Sequence, residues 1–199
     1  MISVAKILPI SEVNGPGKRC VVWVQGCPKR CPGCWNPEFL SFEKSTNTVS
    51  AKELVTMISK ATHGFRDIEG VTFSGGEPFA YAECLTEVAQ LLRKQNLTIM
   101  SYSGFTVEEI RTKGNFYVSL LEALDILVDG EYKRELNVNR LWRSSANQRV
   151  LFLTDRYIAY QAHIDEEYRE LEFTLNTNQI TTTGFPEVSI LKNLTNHRE

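Results

Sequence analysis

The sequence predicts an α/β fold, a parallel sheet covered by helices. Two observations carry that prediction. Short apolar runs alternate along the chain with amphipathic, capped helical stretches. The residues able to do chemistry then fall just after the apolar runs, at the strand ends where parallel α/β folds place their sites. With 199 residues and 42% hydrophobic content the chain can bury one core, so a single domain over 1–199 is expected. A formal net charge of −2 supplies no basic field for nucleic acid or an anionic membrane. The opening "MISVAKILPISEV" is too short and broken for a signal peptide, and no apolar run approaches a membrane span. A cytoplasmic, reducing compartment is therefore expected.

The elements follow in order. "VVWVQ", Val21–Gln25, is the first strand. "TVSAKELVTMISKAT", Thr48–Thr62, is a helix, because Ser50 and Glu53 form a capping box and Leu54, Ile58 and Ala61 recur at helical spacing. Gly70–Ser74 is the second strand, followed by a helix from about Tyr81 to Lys94. Leu97–Gly104 is the third. Thr106 and Glu109 cap a short helix after it, and Asn115–Asp125 is helical in pattern. Asp125–Gly130 and Gln148–Leu153 supply the fourth and fifth strands. Repeated strand–helix units predict a short, partly open parallel β/α barrel with a core over about 10–153.

An extension over about 154–199 carries a β-hairpin. Leu171, Phe173 and Leu175 alternate, Asn176-Thr177-Asn178 turns, and Ile180 returns. It is either a cap that completes the core or a docking edge for a polypeptide strand.

Three of the five cysteines lie within "QGCPKRCPGCWNPEF". Disulfides fit badly, because the cluster and the total are both odd and the compartment is reducing. A structural zinc site wants four ligands, usually as two separated pairs, and no second pair exists. Cys20 shares a strand face with Val22 and Val24 and Cys84 sits in a helical pattern, so both pattern with packing residues. His63, His163 and His197 have no metal-like spacing. Three thiolates on one loop suit a [4Fe–4S] cluster at Cys27, Cys31 and Cys34, with one iron left open for another ligand.

This C-x3-C-x2-C loop after a first strand resembles the signature of radical S-adenosylmethionine (SAM) enzymes. The common signature has an aromatic residue before the third cysteine. Here Gly33 holds that place and Trp35 follows it. That departure resembles the small activating enzymes of anaerobic ribonucleotide reductase. Asn14–Glu38, "FSGGEP" at Phe73–Pro78, "DILVDGEY" at Asp125–Tyr132 and "LWRSSANQ" at Leu141–Gln148 resemble further landmarks of that family, in order. The resemblance covers roughly residues 10 to 150. It implies the partly open radical SAM barrel, and SAM bound to the open iron through its amino group and carboxylate.

Gly33, Trp35, Gly75, Gly76, Glu77, Ser103, Asp129 and Arg143 are the candidate cofactor-binding residues, each with a plainer role beside it. Gly75-Gly76 is a simple turn, or a place where backbone approaches a ligand closely; the family match puts the SAM amine there. Glu77 is a helix-start acid or a partner of that amine. Trp35 is a core aromatic, or it shields the cluster or packs on adenine. Ser103 bonds local backbone, or lies near the SAM pocket as the family match implies. Asp129 caps a turn with Gly130 or bonds the ribose hydroxyls. Arg143 is a surface charge or, with the polar residues after it, a contact to SAM or substrate.

The implied reaction is reductive cleavage of SAM to methionine and a 5′-deoxyadenosyl radical, which removes a hydrogen atom from a polypeptide substrate. Too few thiols remain for a second cluster, so electrons must come from a separate flavodoxin or ferredoxin. Activation of a large glycyl-radical enzyme is the leading expectation. A maturase or splicease acting on a small precursor peptide with a recognition protein is the second. A non-catalytic zinc or iron–sulfur module is a third, of another class.

Overall fold

A computed structural model of the chain describes residues 1–43, 48–176 and 179–184. Its centre is a seven-stranded sheet of order β3-β1-β2-β4-β5-β6-β9. These strands are β1 (Ile2–Ser11), β2 (Arg19–Val24), β3 (Thr48–Val49), β4 (Gly70–Gly75), β5 (Thr98–Ser103), β6 (Ile126–Asp129) and β9 (Arg149–Phe152). The four central strands, β2, β4, β5 and β6, run parallel. β1 joins β2 antiparallel, β3 joins β1 antiparallel, and β9 joins β6 antiparallel. The edges β3 and β9 are not paired with each other, so the sheet is open among the described residues.

Helices α1 (Ala51–Ala61), α2 (Ala82–Arg93), α3 (Val107–Thr112) and α4 (Asn115–Glu122) return the chain between the parallel strands. Both capping boxes expected from the sequence form, Ser50 with Glu53 and Thr106 with Glu109. All four helices pack on one face of the sheet. Leu54, Ile58, Leu85, Val88, Leu92, Ile110 and Leu120 bury there against Cys20, Val22, Val24, Phe73, Ile99 and Leu127. Each such fully buried aliphatic side chain contributes about 1.5–3 kcal/mol. Cys20 and Cys84 belong to this core and lie away from the cysteine loop, in keeping with their apolar pattern. The opposite face carries Val21, Trp23, Met100, Ile126, Val128 and Trp142. The parallel strands are therefore buried on both faces, which is why they read as continuous apolar runs.

Three sequence expectations are corrected. The first strand is β1, ten residues long and preceding the β2 strand that leads into the cysteine loop, and not Val21–Gln25. Lys6, Pro9 and a β-bulge interrupt its apolar pattern and hide it. Thr48–Val49 pairs with β1 as an edge strand, and the helix begins only at Ala51. The fifth expected strand, β9, is antiparallel. The chain between β6 and β9 forms a hairpin, β7 (Asn137–Arg140) with β8 (Arg143–Ser145), where a parallel return needs a crossover helix.

After β9 a 3-10 stretch, Asp155–His163, leads to a separate two-stranded ribbon, β10 (Leu171–Asn176) with β11 (Gln179–Gly184). Its register runs from Leu171↔Gly184 to Asn176↔Gln179. Thr177 and Asn178, the centre of the expected turn, lie outside the described residues. Phe173 and Leu175 are exposed, so their alternation does not bury them in the core. No helix among the described residues is long and apolar enough to cross a membrane.

Arg19, at the start of β2, is fully buried under the sheet. Its Nε donates to Thr72 Oγ1 at 2.7 Å, Nη1 to Thr98 Oγ1 at 2.9 Å, and Nη2 to the Val71 and Thr98 carbonyls at 2.8 and 3.1 Å. Gly15 and Gly70 leave it room, since a Cβ at either would meet the arginine within 2.7 Å. None of these hydrogen-bond partners is a carboxylate; the bonds, with attraction from Tyr157, Asp125 and Glu69, offset part of the desolvation of the charge. Arg19→Met is expected to lower unfolding free energy by about 2–4 kcal/mol, because it orphans buried acceptors on two strands, β4 and β5. Arg19→Lys is not expected to restore it, because an ammonium cannot span the fork. An unchanged urea midpoint in Arg19→Met would refute this account.

Candidate metal and cofactor site

The cysteine loop is shaped by its own prolines and glycines. Cys34 N–H donates to the Cys31 carbonyl at 3.2 Å across Pro32-Gly33. Gly33 has φ +74°, so Pro-Gly here occupies the central positions of a type II turn. Gly33 is exposed and outside the cavity wall, and its glycine identity serves the turn. Before the turn, Gly26 N–H donates to Phe39 O and Cys27 N–H to Leu40 O, which folds Pro37–Leu40 back under the loop.

Gly75 and Gly76 bring the end of β4 against this loop. Gly76 N–H donates to Val24 O and Glu77 N–H to Gly26 O. A Cβ at Gly76 would lie 2.2 Å from Gly26 O, and one at Gly75 2.5 Å from Val24 N. The glycines therefore permit close approach, but to the chain's own backbone as well as to the cavity they line.

Glu77 is almost fully buried and ties three segments together. Its carboxylate accepts from Phe79 N at 2.9 Å, Ser103 Oγ at 3.0 Å and Gly104 N at 2.8 Å. It caps the 3-10 turn Pro78–Tyr81, and it also lines the cavity, so both sequence readings find support in its position. Burial pushes its carboxyl up to about 7 in spite of these donors. Ser103 bonds Glu77 and the Phe105 N–H, at 3.0 Å each.

These groups border one cavity of about 340 Å³ on the helix-free face, within the size range of small-molecule sites. Cys27, Cys31, Cys34, Trp35, Gly75, Gly76, Glu77 and Ser103 all line it. Trp35 is half-buried in the wall beside Tyr132 and is not a core residue. Two enclosed polar atoms of the wall, Trp35 Nε1 and Tyr102 Oη, have no hydrogen-bond partner. Orphaned polar atoms around a cavity point to a ligand that satisfies them.

Asp129 and Arg143 are not in the wall of this cavity. Asp129 is fully buried and accepts from Val107 N at 2.7 Å and from Arg149 Nε at 2.9 Å. Both oxygens are engaged, at the start of α3 and on β9. Arg143 turns its guanidinium to Gln148 O, Ile164 O and Asp165, fastening β8 to the following segment. Its neighbours Ser144 and Gln148 line the cavity in its place.

Sequence reasoning missed Lys6, Lys29 and Tyr102 in the wall. Lys6 is there because of the β1 bulge. Val4 pairs with Val24 but Lys6 with Trp23, so one extra residue reverses the side-chain alternation. Val4 then joins the helix-side core and Lys6 faces the cavity. Tyr102 was legible in principle, since it alternates with Ser101 and Ser103 along β5.

The donor set fits an iron–sulfur cluster better than a zinc ion. Among the described residues no three Cys, His, Asp or Glu side chains gather around one ion position. A structural zinc site is closed by four ligands, whereas three thiolates hold a four-iron cube with one iron left to another ligand. Burial pushes all three thiols up, so bound cations are needed to release their protons.

Comparison with known proteins agrees. The family described as "4Fe-4S single cluster domain" matches residues 13–151. The chain belongs to this single-cluster 4Fe-4S family. The anaerobic ribonucleoside-triphosphate reductase-activating protein of Enterobacteria phage T4 is 33% identical over 159 residues, 75% of this chain and 94% of that one. The protein of the same name from Escherichia coli K12 is 28% identical over 71% of this chain and 93% of that one. A Haemophilus influenzae protein named for glycyl-radical enzyme activation is 37% identical over 50% of this chain and 38% of that one.

Glu77 gives the single-cluster site a pH signature. The folded chain holds its proton up to about 7, while an unfolded glutamate releases it near 4.3. Folding stability is therefore fully present below the lower value and falls as pH rises through this window, by on the order of 3 kcal/mol. Glu77→Gln is expected to remove that slope. Urea denaturation of both metal-free proteins at pH 4 and pH 8 checks it, and equal pH dependence would contradict the assignment.

Proposed function

We propose that this chain is a radical SAM activating enzyme. Cys27, Cys31 and Cys34 hold a [4Fe–4S] cluster, and SAM binds its remaining iron from within the cavity. The observation that carries this reading is the meeting of those three cysteines with Gly75-Gly76-Glu77 on one cavity wall. The names of the relatives support it. On this reading the open sheet is the short, partly open barrel of radical SAM enzymes, with a core over about 10–153 and the hairpin appended.

Held there, the cluster and SAM would supply a one-electron reductant and a carbon radical able to take a hydrogen atom from a polypeptide. The chain's residues position and exclude. The backbone at Gly75-Gly76 leaves space for the methionyl group, and Glu77 places negative charge near its ammonium. Trp35 covers one side of the cysteine loop, and Tyr102 and Trp35 offer unsatisfied donors to the bound ligand. Enclosure on the helix-free face keeps water from the radical. The polypeptide substrate is a large glycyl-radical enzyme of the anaerobic ribonucleotide reductase type, and the electron comes from a flavodoxin or ferredoxin in the cytoplasm.

Anaerobic reconstitution with iron and sulfide is expected to give brown protein with about four irons per chain. SAM and dithionite should then release 5′-deoxyadenosine. Cys31→Ala is expected to abolish both colour and cleavage, whereas Cys84→Ser, in the helix-side core, should preserve both. Equal loss in the two variants, or reconstituted wild type that cleaves no SAM, would defeat the proposal.

A further inference from the structure

Lys29 stands between two of the three cysteines, yet its side chain turns inward and is only 17% exposed. Its stem passes over Gly104, where a Cβ would come within 3.2 Å of Lys29 Cγ. The ammonium lies 4.6 Å from the Phe105 ring centroid. It is 2.7 Å from Glu131 Oε1 and 3.5 Å from Glu109 Oε1. Glu131 follows β6 directly after Gly130, and the next backbone N–H, that of Tyr132, donates to the Cys31 thiol. Glu109 sits in the first turn of α3. One cation from the cysteine loop therefore reaches two anions on two different strand-end connections, beside the groups expected to hold iron.

From this geometry we infer that the Lys29–Glu131 pair sets the reduction potential of the cluster while it fastens the cysteine loop to the end of β6. The inference rests on the cluster being held by Cys27, Cys31 and Cys34. Uptake of one electron from an external one-electron donor, with no bond made or broken, adds one negative charge beside these side chains. Net charge near a cluster is a main determinant of its potential. The lysine favours the added charge and the glutamates oppose it. An ordinary surface ion pair is screened and worth little. Here the cation is mostly enclosed and lines the cavity, which preserves its field.

The pair has a signature that a purely mechanical clamp lacks. Removing either partner loosens a clamp alike, but shifts a potential in opposite directions. Lys29→Met keeps the methylene stem over Gly104 and loses the charge. Its reconstituted form is expected to have a reduction equilibrium constant about threefold to tenfold lower, tenfold being about 59 mV for one electron. Glu131→Gln is expected to raise it by a similar factor, and the double variant to return towards wild type. Glu109→Gln, which keeps the capping box, should give a smaller rise and serves if Lys29→Met fails to fold. Dithionite titration of the full chain, followed by electron paramagnetic resonance with iron counted per chain, reads these shifts. Shifts of one sign in both single variants, or none at full iron content, overturn the inference. Wild-type protein that assembles no cluster overturns the cluster reading itself.

Discussion

The structure turns on one contact between backbones, where the end of β4 rests on the start of the cysteine loop. Gly76 N–H reaches Val24 O, Glu77 N–H reaches Gly26 O, and neither Gly75, the last residue of β4, nor Gly76 has room for a methyl group. This contact fixes where the first thiol leaves the sheet. It also fixes the distance between the cysteines and the segment facing them. A parallel sheet makes such contacts available, because adjacent strands end side by side and their connections emerge together. The β2–β4 register, Trp23 beside Ser74 and Val24 beside Gly75, runs up to the point where the two loops touch.

Charge is organised around that contact in two layers. Glu77 lies beneath, almost without solvent, gathering N–H groups from its own turn and from the end of β5. Lys29 lies above it and draws in the connections after β6 and before α3. The lower layer holds one carboxylate whose ionisation is held back by burial, and the upper layer holds a cation with two acids. The ends of β4, β5 and β6 are thereby linked to the cysteine loop by side chains of both signs. A cavity wall built this way keeps its shape without a ligand, which lowers the ordering cost of binding.

Much of this was legible in the sequence for physical reasons that differ between elements. The parallel strands and capped helices follow from periodicity and from Ser50–Glu53 and Thr106–Glu109, which act over three residues. The cysteine loop and the Gly-Gly-Glu segment were legible because each carries its chemistry locally. β1 was not, since a bulge breaks its alternation, and bulges depend on the partner strand. The reversed direction of β9 was hidden because an antiparallel and a parallel apolar run look alike. Asp129 and Arg143 lie outside the cavity wall for a related reason. A polar residue at a strand end suits a ligand, but it suits a neighbouring helix start or carbonyl equally well, and only the fold decides. Arg19 carried no sequence signal of its own, because its burial depends on Gly15 nearby and on Gly70, Thr72 and Thr98 far along the chain.

The segment matched by the family ends at residue 151, but the cavity does not. Leu171, Thr182, Thr183 and Gly184 of the β10–β11 ribbon also line it. The ribbon is held against the connection after β1, where Asn14 Nδ2 donates to Thr183 Oγ1 at 2.9 Å and Glu12 N to Glu172 Oε1 at 2.6 Å. Three quarters of this chain already spans 94% of the phage T4 relative. The cysteine end of the cavity is therefore built from the family's shared segment, whereas part of the opposite wall is built from chain beyond it. A substrate that reaches the cysteines must fit both walls. On the ribbon, Leu171 lies inside the cavity while Phe173 and Leu175 are exposed along the same strand face.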